Sequence, residues 1–401
     1  MDKLTRRDLI KKTAAGSAAL AVTGMPSCST NPLESSTTEE GAKEGANASL
    51  KNIRLIDYHP KTVLTVKKTE IQKAKYPVID AHNHLRRDVV NADVDVADMV
   101  KIMDDCNVQI VVDLDGYPGG QMEKSLERLK KAYPDRFLVY TRVDWTNIDD
   151  PDFDKQMARK MEEDFAKGVQ ALKIRKELGL EIQLADGTYL PVDSPKLDLM
   201  WDKCGELGMP VTIHVGDPLA FFTPLDKDNE RLEEVIDHPD WMWNRPELYG
   251  LDEIMEQRNR MIAKHPNTNF IGAHIGGMAE NLELAGEWLD SYPNLYYDTS
   301  ARIHEMGRQP FTARGFLIKY ADRIVFGTDG CDDGHISPNM FHLNWRYFET
   351  NDEYFDVSRA HHYQGRWMAY GVSLPDDVLK KIYYQNALKL YPGINKSIFP
   401  A

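Results

Sequence analysis

Eight short apolar runs recur along the chain, and an amphipathic stretch follows each one. The runs are Val78–Ala81, Val108–Leu114, Phe137–Val143, Val169–Ile174, Pro210–Val215, Asn269–His274, Asn294–Asp298 and Arg323–Gly327. Ile110-Val111-Val112 and Ile324-Val325-Phe326 lack polar alternation, the pattern of a strand covered on both faces. The stretches between carry apolar residues at helical spacing, as at 96, 99, 100 and 103 in Val94–Cys106 and at Met122, Leu126 and Leu129 in Gln121–Ala132. Asp152–Ala166, Leu197–Leu207, Leu251–Lys264, Ala279–Ser291, Thr312–Tyr320 and Pro375–Leu390 continue the series, the last with Pro375 in the first helical turn. Alternating strands and helices predict a parallel sheet sheathed in helices, and eight of each predict an α/β fold closed as a (β/α)8 TIM barrel. The alternative is an open doubly wound sheet, but no glycine-rich phosphate loop follows the first run.

Several polar residues sit at one end of these runs. His82-Asn83-His84 closes the first, and residues two apart on a strand point to the same side, so both imidazoles reach one place. His214 ends the fifth run, His274 ends the sixth, and Asp329 follows the eighth in Phe326-Gly327-Thr328-Asp329. A lone H-x-H is a weak signal. Five such residues at the carboxyl ends of strands 1, 5, 6 and 8 fall on the face where barrels do their chemistry. Lys173, Arg175 and Arg302 also follow strand ends, as do Arg86 and Arg142. Lys173, Arg175 and Arg302 are candidate substrate contacts, Lys173 as a plain cation and Arg175 and Arg302, like Arg86 and Arg142, because a guanidinium offers a planar fork to a carboxylate. No nucleophile triad, phosphate loop or paired-carboxylate set competes with this cluster.

The pieces Val78-Ile79-Asp80-Ala81-His82-Asn83-His84, Thr212-Ile213-His214, Ala273-His274, Gly327-Thr328-Asp329 and the closing Asn386-Ala387-Leu388-Lys389-Leu390 resemble the amidohydrolase superfamily. The resemblance is strongest to the amidohydrolase-related branch that includes aminocarboxymuconate-semialdehyde decarboxylase, and it spans about residues 76 to 393. It implies that His82, His84, His214 and Asp329 bind one divalent metal ion and that His274 binds or activates water. Three imidazoles and a carboxylate suit Zn2+ and also accept Mn2+ or Fe2+. His274 or Asp329 then takes the water's proton. In binuclear amidohydrolases a carboxylated lysine at the place of Lys173 bridges two metals; in this branch the bridge is absent, which leaves Lys173 as a substrate contact or an ion-pair partner. The implied reaction is hydrolysis of an amide, ester or lactone bond in a small molecule. The alternatives are non-oxidative decarboxylation of an unsaturated or aromatic acid, and a barrel that binds metal or ligand without catalysis.

A net charge of -14 argues against nucleic acid as a partner and says little about a small substrate, which is the partner that the resemblance implies. Residues 1–28 read as an export leader: Thr5-Arg6-Arg7-Asp8-Leu9-Ile10-Lys11 has the form of a twin-arginine signal, followed by a weakly apolar stretch too short to span a bilayer. Cys28 resembles a lipoprotein attachment cysteine, although Met25 and Pro26 fit that motif poorly. The expectation is an exported protein, periplasmic or lipid-anchored at Cys28. Residues 29–50, rich in Ser, Thr, Glu, Gly and Ala, read as a flexible tether. Residues 51–77 read as an extension packing on the barrel, with Val63, Leu64 and Val66 suggesting a small strand pair, and residues 78–401 as the barrel. Two connections break the rhythm. Gly216–Gly250 holds Phe221, Phe222, Trp241 and Trp243, and residues 330–374 carry nine aromatic residues including Phe341, Trp345, Tyr347 and Phe348. Long inserts on this face form active-site walls or contacts between copies, which makes a homodimer an expectation. Cys106 and Cys204 lie in helical patterns and read as buried small hydrophobes.

Overall fold

In the computed structural model the eight runs form eight strands: β1 (Val78–Asn83), β2 (Val108–Asp113), β3 (Phe137–Arg142), β4 (Ala171–Ile174), β5 (Val211–Ile213), β6 (Phe270–Gly272), β7 (Leu295–Asp298) and β8 (Ile324–Val325). Successive strands pair in parallel and in sequence order. The sheet's edges meet where the Ala81 N–H donates to Phe326 O (2.9 Å) and the Asp329 N–H donates to His82 O (2.8 Å). The fold is a (β/α)8 TIM barrel. The structure describes residues 50–86, 89, 94–330, 336–358 and 364–400. The leader, Cys28 and the tether up to residue 49 lie outside them. Among the described residues no helix is long and apolar enough to cross a membrane.

The strands are apolar runs because both faces are covered; every residue of β1, β3, β4, β5 and β6 is buried. Helices α1 (Val96–Cys106), α2 (Gln121–Ser125), α3 (Phe153–Lys167), α4 (Asp198–Leu207), α5 (Leu251–Lys264), α6 (Leu282–Ser291) and α7 (Pro310–Lys319) form the outer layer. Asp95 caps α1 by accepting from the Ala97 N–H, and Asn107 ends it in the left-handed conformation. Helix α3 turns Phe153, Met157 and Met161 inward, a spacing of four residues. Pro375 caps the last helix from an extended conformation (ψ 151°) and is not in its first turn. Cys106 and Cys204 are buried free thiols.

The long insert after β8 contributes helix α8 (Pro338–Glu349) before the closing helix α9 (Asp376–Lys380), which continues through a π-helical turn to Leu390. Phe341, Trp345, Tyr347 and Phe348 are buried. Trp345 and Phe348 pack with Phe326, from the end of β8, and with Tyr383 from the closing helix. This aromatic mass is core beneath the barrel's seam, so its bulk does not form the substrate wall.

By contacts the chain divides into Met1–Leu64 and Thr65–Ala401. The described part of the first unit has one 3-10 turn, Leu55–Asp57, closed by the Arg54–Asp57 ion pair. In the second unit, the segment before β1 is fixed by the Thr69 N–H and hydroxyl, which donate to Asp352 (2.6 and 2.7 Å), and by the Ala74 N–H, which donates to Cys106 O. The expected strand pair is not formed: no described residue before Val78 is in a strand. A buried carboxylate, rather than a second strand, takes the backbone donor of Thr69.

Candidate metal centre

His82 lies inside β1 and His84 just beyond it, with ring centroids 5.5 Å apart, as the two-residue period requires. His214 follows β5 directly. His274 does not end its strand as the sequence suggested but lies in a turn past β6, while Asp329 follows β8 in a turn. His274, Ile275, Gly276 and Gly277 all have positive φ (61°, 56°, 64° and 71°). A left-handed turn costs roughly 1–2 kcal/mol for each residue with a side chain. Gly276 permits it, because a Cβ there would stand 2.3 Å from the Tyr297 ring. The turn is anchored by the His274 N–H, which donates to Asp298 Oδ1 (2.9 Å), and by a bond from the buried Arg258 guanidinium to Gly276 O. Asp329 also has positive φ (59°), a conformation Asp tolerates better than most residues.

The turns bring the polar groups together. His82, His274 and Asp329 each offer a ligand atom within 4.8 Å of the others. Asp329 Oδ1 lies 3.1 Å from His82 Nε2 and 3.3 Å from His84 Nε2, and its Oδ2 lies 3.9 Å from His274 Nε2. The His214 ring meets His274 edge-on with centroids 4.3 Å apart. All five residues predicted from sequence therefore share one site, with His214 at its edge and His274 in its tightest trio.

Acceptors behind the ring dictate which nitrogen faces the site. His82 Nδ1 is 2.7 Å from the Asp298 carboxylate, and His84 Nδ1 is 2.9 Å from Asp115. His274 Nδ1 is 2.9 Å from the carbonyl oxygen of Ser300. Each of these oxygens can only accept, so each Nδ1 carries the proton and each Nε2 turns its other side toward Asp329. His214 Nε2 is buried and makes no hydrogen bond, although Asp217 Oδ1 lies 3.4 Å away. A buried imidazole nitrogen without a hydrogen bond, beside two imidazoles oriented by carboxylates and the carboxylate of Asp329, makes a set of nitrogen and oxygen donors that a divalent cation of the zinc type fits.

Asp298, Asp115 and Asp80 were not singled out from sequence. Asp298 ends β7 and is buried; burial alone would raise its pKa, but His82 and the bonds from Ser300 outweigh this and keep it ionised. Asp80 accepts from the Thr328 N–H (3.0 Å) and hydroxyl (2.6 Å), which ties β1 to the loop bearing Asp329. The only sequence signal was an acid closing or interrupting an apolar run.

Burial lowers the pKa of His214 and His274 well below the usual histidine value, and Lys176 and Lys173 add to the effect at His214. Both rings are neutral near pH 7. Burial opposes the charge of His84 too, but Asp115 and Asp329 outweigh it and raise its pKa to about 9. Burial also tends to raise Asp329, yet the surrounding imidazoles and the bonds from His82 and His84 hold it well below the usual carboxylate range. Lys173 is buried with Nζ 3.3 Å from His82 Nε2, and burial lowers its pKa to about 8.

The cluster opens into a cavity of 380 Å3 lined by His84, His214, His274 and Asp329. Lys173, Arg175 and Arg302 line it, together with Arg142, Lys176 and Arg231. Tyr117, Phe221 and Trp241 supply aromatic wall. Arg86 is not among the lining residues; its guanidinium lies over the Tyr117 ring (5.1 Å). Arg142, wholly buried, stacks on the same ring at 4.0 Å.

The family model with the description Amidohydrolase matches residues 79–393. None of the curated proteins matches this chain. Among solved structures the chain is similar to a putative amidohydrolase from Staphylococcus aureus (TM-score 0.48, 18% identity, covering 78% of this chain and 99% of that one). It is also similar to a dihydroxybenzoic acid decarboxylase from Polaromonas with bound manganese and an inhibitor (TM-score 0.48, 16%, covering 79% and 96%). A third is 4-oxalomesaconate hydratase from Rhodopseudomonas palustris (TM-score 0.47, 14%, covering 80% and 97%). With nearly the whole barrel matched by the family model, the chain belongs to the amidohydrolase family and is a metal-dependent enzyme.

Proposed function

We propose that the protein is a metal-dependent hydrolase that uses water to cut an amide, ester or lactone bond of a small molecule. The observation that carries this reading is His274: its Nδ1 proton is fixed on Ser300 O, burial keeps the ring neutral, and Nε2 faces Asp329 across 3.9 Å. A neutral imidazole so placed is a general base for water. His82, His84, His214 and Asp329 would hold one ion, Zn2+ by donor type. When bound, the ion supplies Lewis acidity to the water and to a substrate oxygen. His274 accepts the water's proton at Nε2 and returns it to the leaving group. Asp329, ionised, is a second acceptor at the same place. Lys173, Arg175 and Arg302 orient the substrate from the cavity wall.

The reaction takes place after export, with the leader at Arg6-Arg7 as the address, either in the periplasm or on a membrane to which a lipid on Cys28 anchors the protein; labelling with a radioactive fatty acid separates the two. The test is metal analysis of the purified protein followed by a screen across lactones, esters, amides and aromatic acids. The expected result is about one ion per chain, with hydrolysis lost to a chelator and restored by Zn2+. Two tightly held ions would promote Lys173 to a bridging ligand. Release of CO2 from an aromatic or unsaturated acid, without hydrolysis of any other class, would replace this reading with decarboxylation. The two neutral histidines separate by metal content: His214→Asn should empty the site, while His274→Asn should keep the ion and lose about 10^2- to 10^4-fold in rate. The opposite pattern would exchange their roles, with His274 the ligand of the tightest trio.

A further inference from the structure

The cavity beside the metal centre carries six cationic side chains, and most are already matched by acids. Arg175 pairs with Glu181 (3.1 Å) and Lys176 with Asp217 (2.8 Å). Arg231 bonds to Glu234 (2.7 Å) and to Glu305. Arg142 lies 3.7 Å from both Asp115 and Glu177, within ion-pair range, although its two terminal nitrogens are buried and make no hydrogen bond. Lys173 faces His82. Among the described residues, Arg302 differs from these five in having neither an acid within 4.0 Å nor a side-chain hydrogen-bond partner. It is 94% buried, its relative exposure being 6%, and it lines the cavity. Its one hydrogen bond goes to the carbonyl of its own neighbour, Ala301 (2.8 Å), and among the described residues it forms no ion pair.

A guanidinium has five N–H donors, so four remain without an acceptor. None of the Arg302 nitrogens is among the buried polar atoms left without a partner, so these free donors open onto the cavity, where a ligand's oxygen atoms can take them. Glu234, Glu280 and Glu305 feel the charge of Arg302 without bonding to it. Glu234 and Glu305 are bonded to Arg231, and Glu280 accepts from the Leu219 N–H (3.2 Å). Arg302 also stands two residues after Ser300, whose carbonyl fixes His274. Arg302 and His274 line the same cavity, and the charge of Arg302 is felt at the His274 ring.

We propose that Arg302 is a specificity-determining residue that binds a carboxylate carried by the substrate, so that the enzyme selects anionic molecules. This rests on the cavity being the substrate site of the hydrolase proposed above. The carboxylate is not the scissile group; its place on Arg302 sets the neighbouring bond against the metal centre. The fork of Arg302 takes two carboxylate oxygens, as a lysine could not.

Titration calorimetry of the metal-loaded full-length protein with benzoate, and with benzamide as its neutral isostere, tests this by binding alone. The ring suits the wall of Tyr117, Phe221 and Trp241. Benzoate should bind at least about 10-fold more tightly than benzamide. Arg302→Gln should weaken benzoate by about 10- to 100-fold and leave benzamide within twofold, and Arg302→Lys should recover part of the loss. Equal binding of the two probes by the unaltered protein, or no binding of benzoate, overturns the proposal without reference to any variant. So does a preference that survives Arg302→Gln with metal content and melting temperature unchanged, since the metal alone would then hold the carboxylate. Benzoate selectivity in a protein that hydrolyses nothing would refute the reaction and keep the anion site. Hydrolysis of neutral esters without benzoate selectivity would do the reverse.

Discussion

Replacing Asp298 by Asn changes one atom of a buried side chain and reverses the logic of the metal centre. Asp298 Oδ2 accepts from His82 Nδ1–H at 2.7 Å, while Oδ1 accepts from the His274 N–H (2.9 Å), the Ser300 N–H (3.1 Å) and the Ser300 hydroxyl. The Asn oxygen will stay with the two backbone donors, because the opposite flip places an NH2 against both. That leaves the Asn NH2 facing His82 Nδ1. Two donors cannot share the bond, so His82 must move its proton to Nε2, the nitrogen that faces Asp329 and would bind the ion. Loss of such an orienting carboxylate lowers metal affinity by about 10- to 100-fold, which is about 1.4–2.7 kcal/mol. The backbone bonds survive, so the barrel and the turn at His274 should stay folded. The assay is Zn2+ affinity by competition with a chromophoric chelator, alongside far-UV circular dichroism and a melting curve. Affinity within twofold of the unaltered protein, in a variant whose His82→Asn counterpart loses the metal, would refute the tautomer argument.

Three further outcomes are expected. Gly276→Ala combines a positive φ of 64° with a Cβ 2.3 Å from a Tyr297 ring whose hydroxyl is held by Ala285 O (3.1 Å), so it should cost about 2–5 kcal/mol in urea unfolding. A cost below about 1 kcal/mol would mean that the turn relaxes freely. Burial, aided by the charge of Asp115, raises Asp113 from 3.8 to about 6, so its favourable protonated form is complete below pH 3.8 and lost as pH rises through about 6. Asp113→Asn should therefore stabilise the protein by about 1–3 kcal/mol above pH 6 and by little below pH 4, which melting curves across that range will show. Changing Arg6 and Arg7 together to Lys should block export, seen by fractionating cells; normal delivery of that variant would exclude the twin-arginine route.

How far the sequence reached depends on how local each feature is. The eight strands and their helices were legible because a strand buried on both faces must be apolar throughout, while a covering helix must be apolar on one stripe. Both patterns are written within about ten residues. The same pattern marked His82, His84, His214, His274 and Asp329, since parallel strands in a barrel all end on one face. The partners of those residues were not legible. Asp298 and His82 are separated by 216 positions and meet only because β7 and β1 both flank β8 in the closed sheet. An aspartate closing an apolar run reads the same whether it faces solvent or an imidazole. The left-handed turn at His274 was equally hidden: glycines after a histidine permit it, but packing on Tyr297 and the bonds to Asp298 and Arg258 hold it there. The aromatic insert carried no mark that it would fill the core under β8 rather than line the cavity. Periodicity along the chain thus determined the barrel and the face of its chemistry. Closure of the barrel decided which acid orients which histidine and which arginine is left without an acid, because those pairings join residues far apart in the chain.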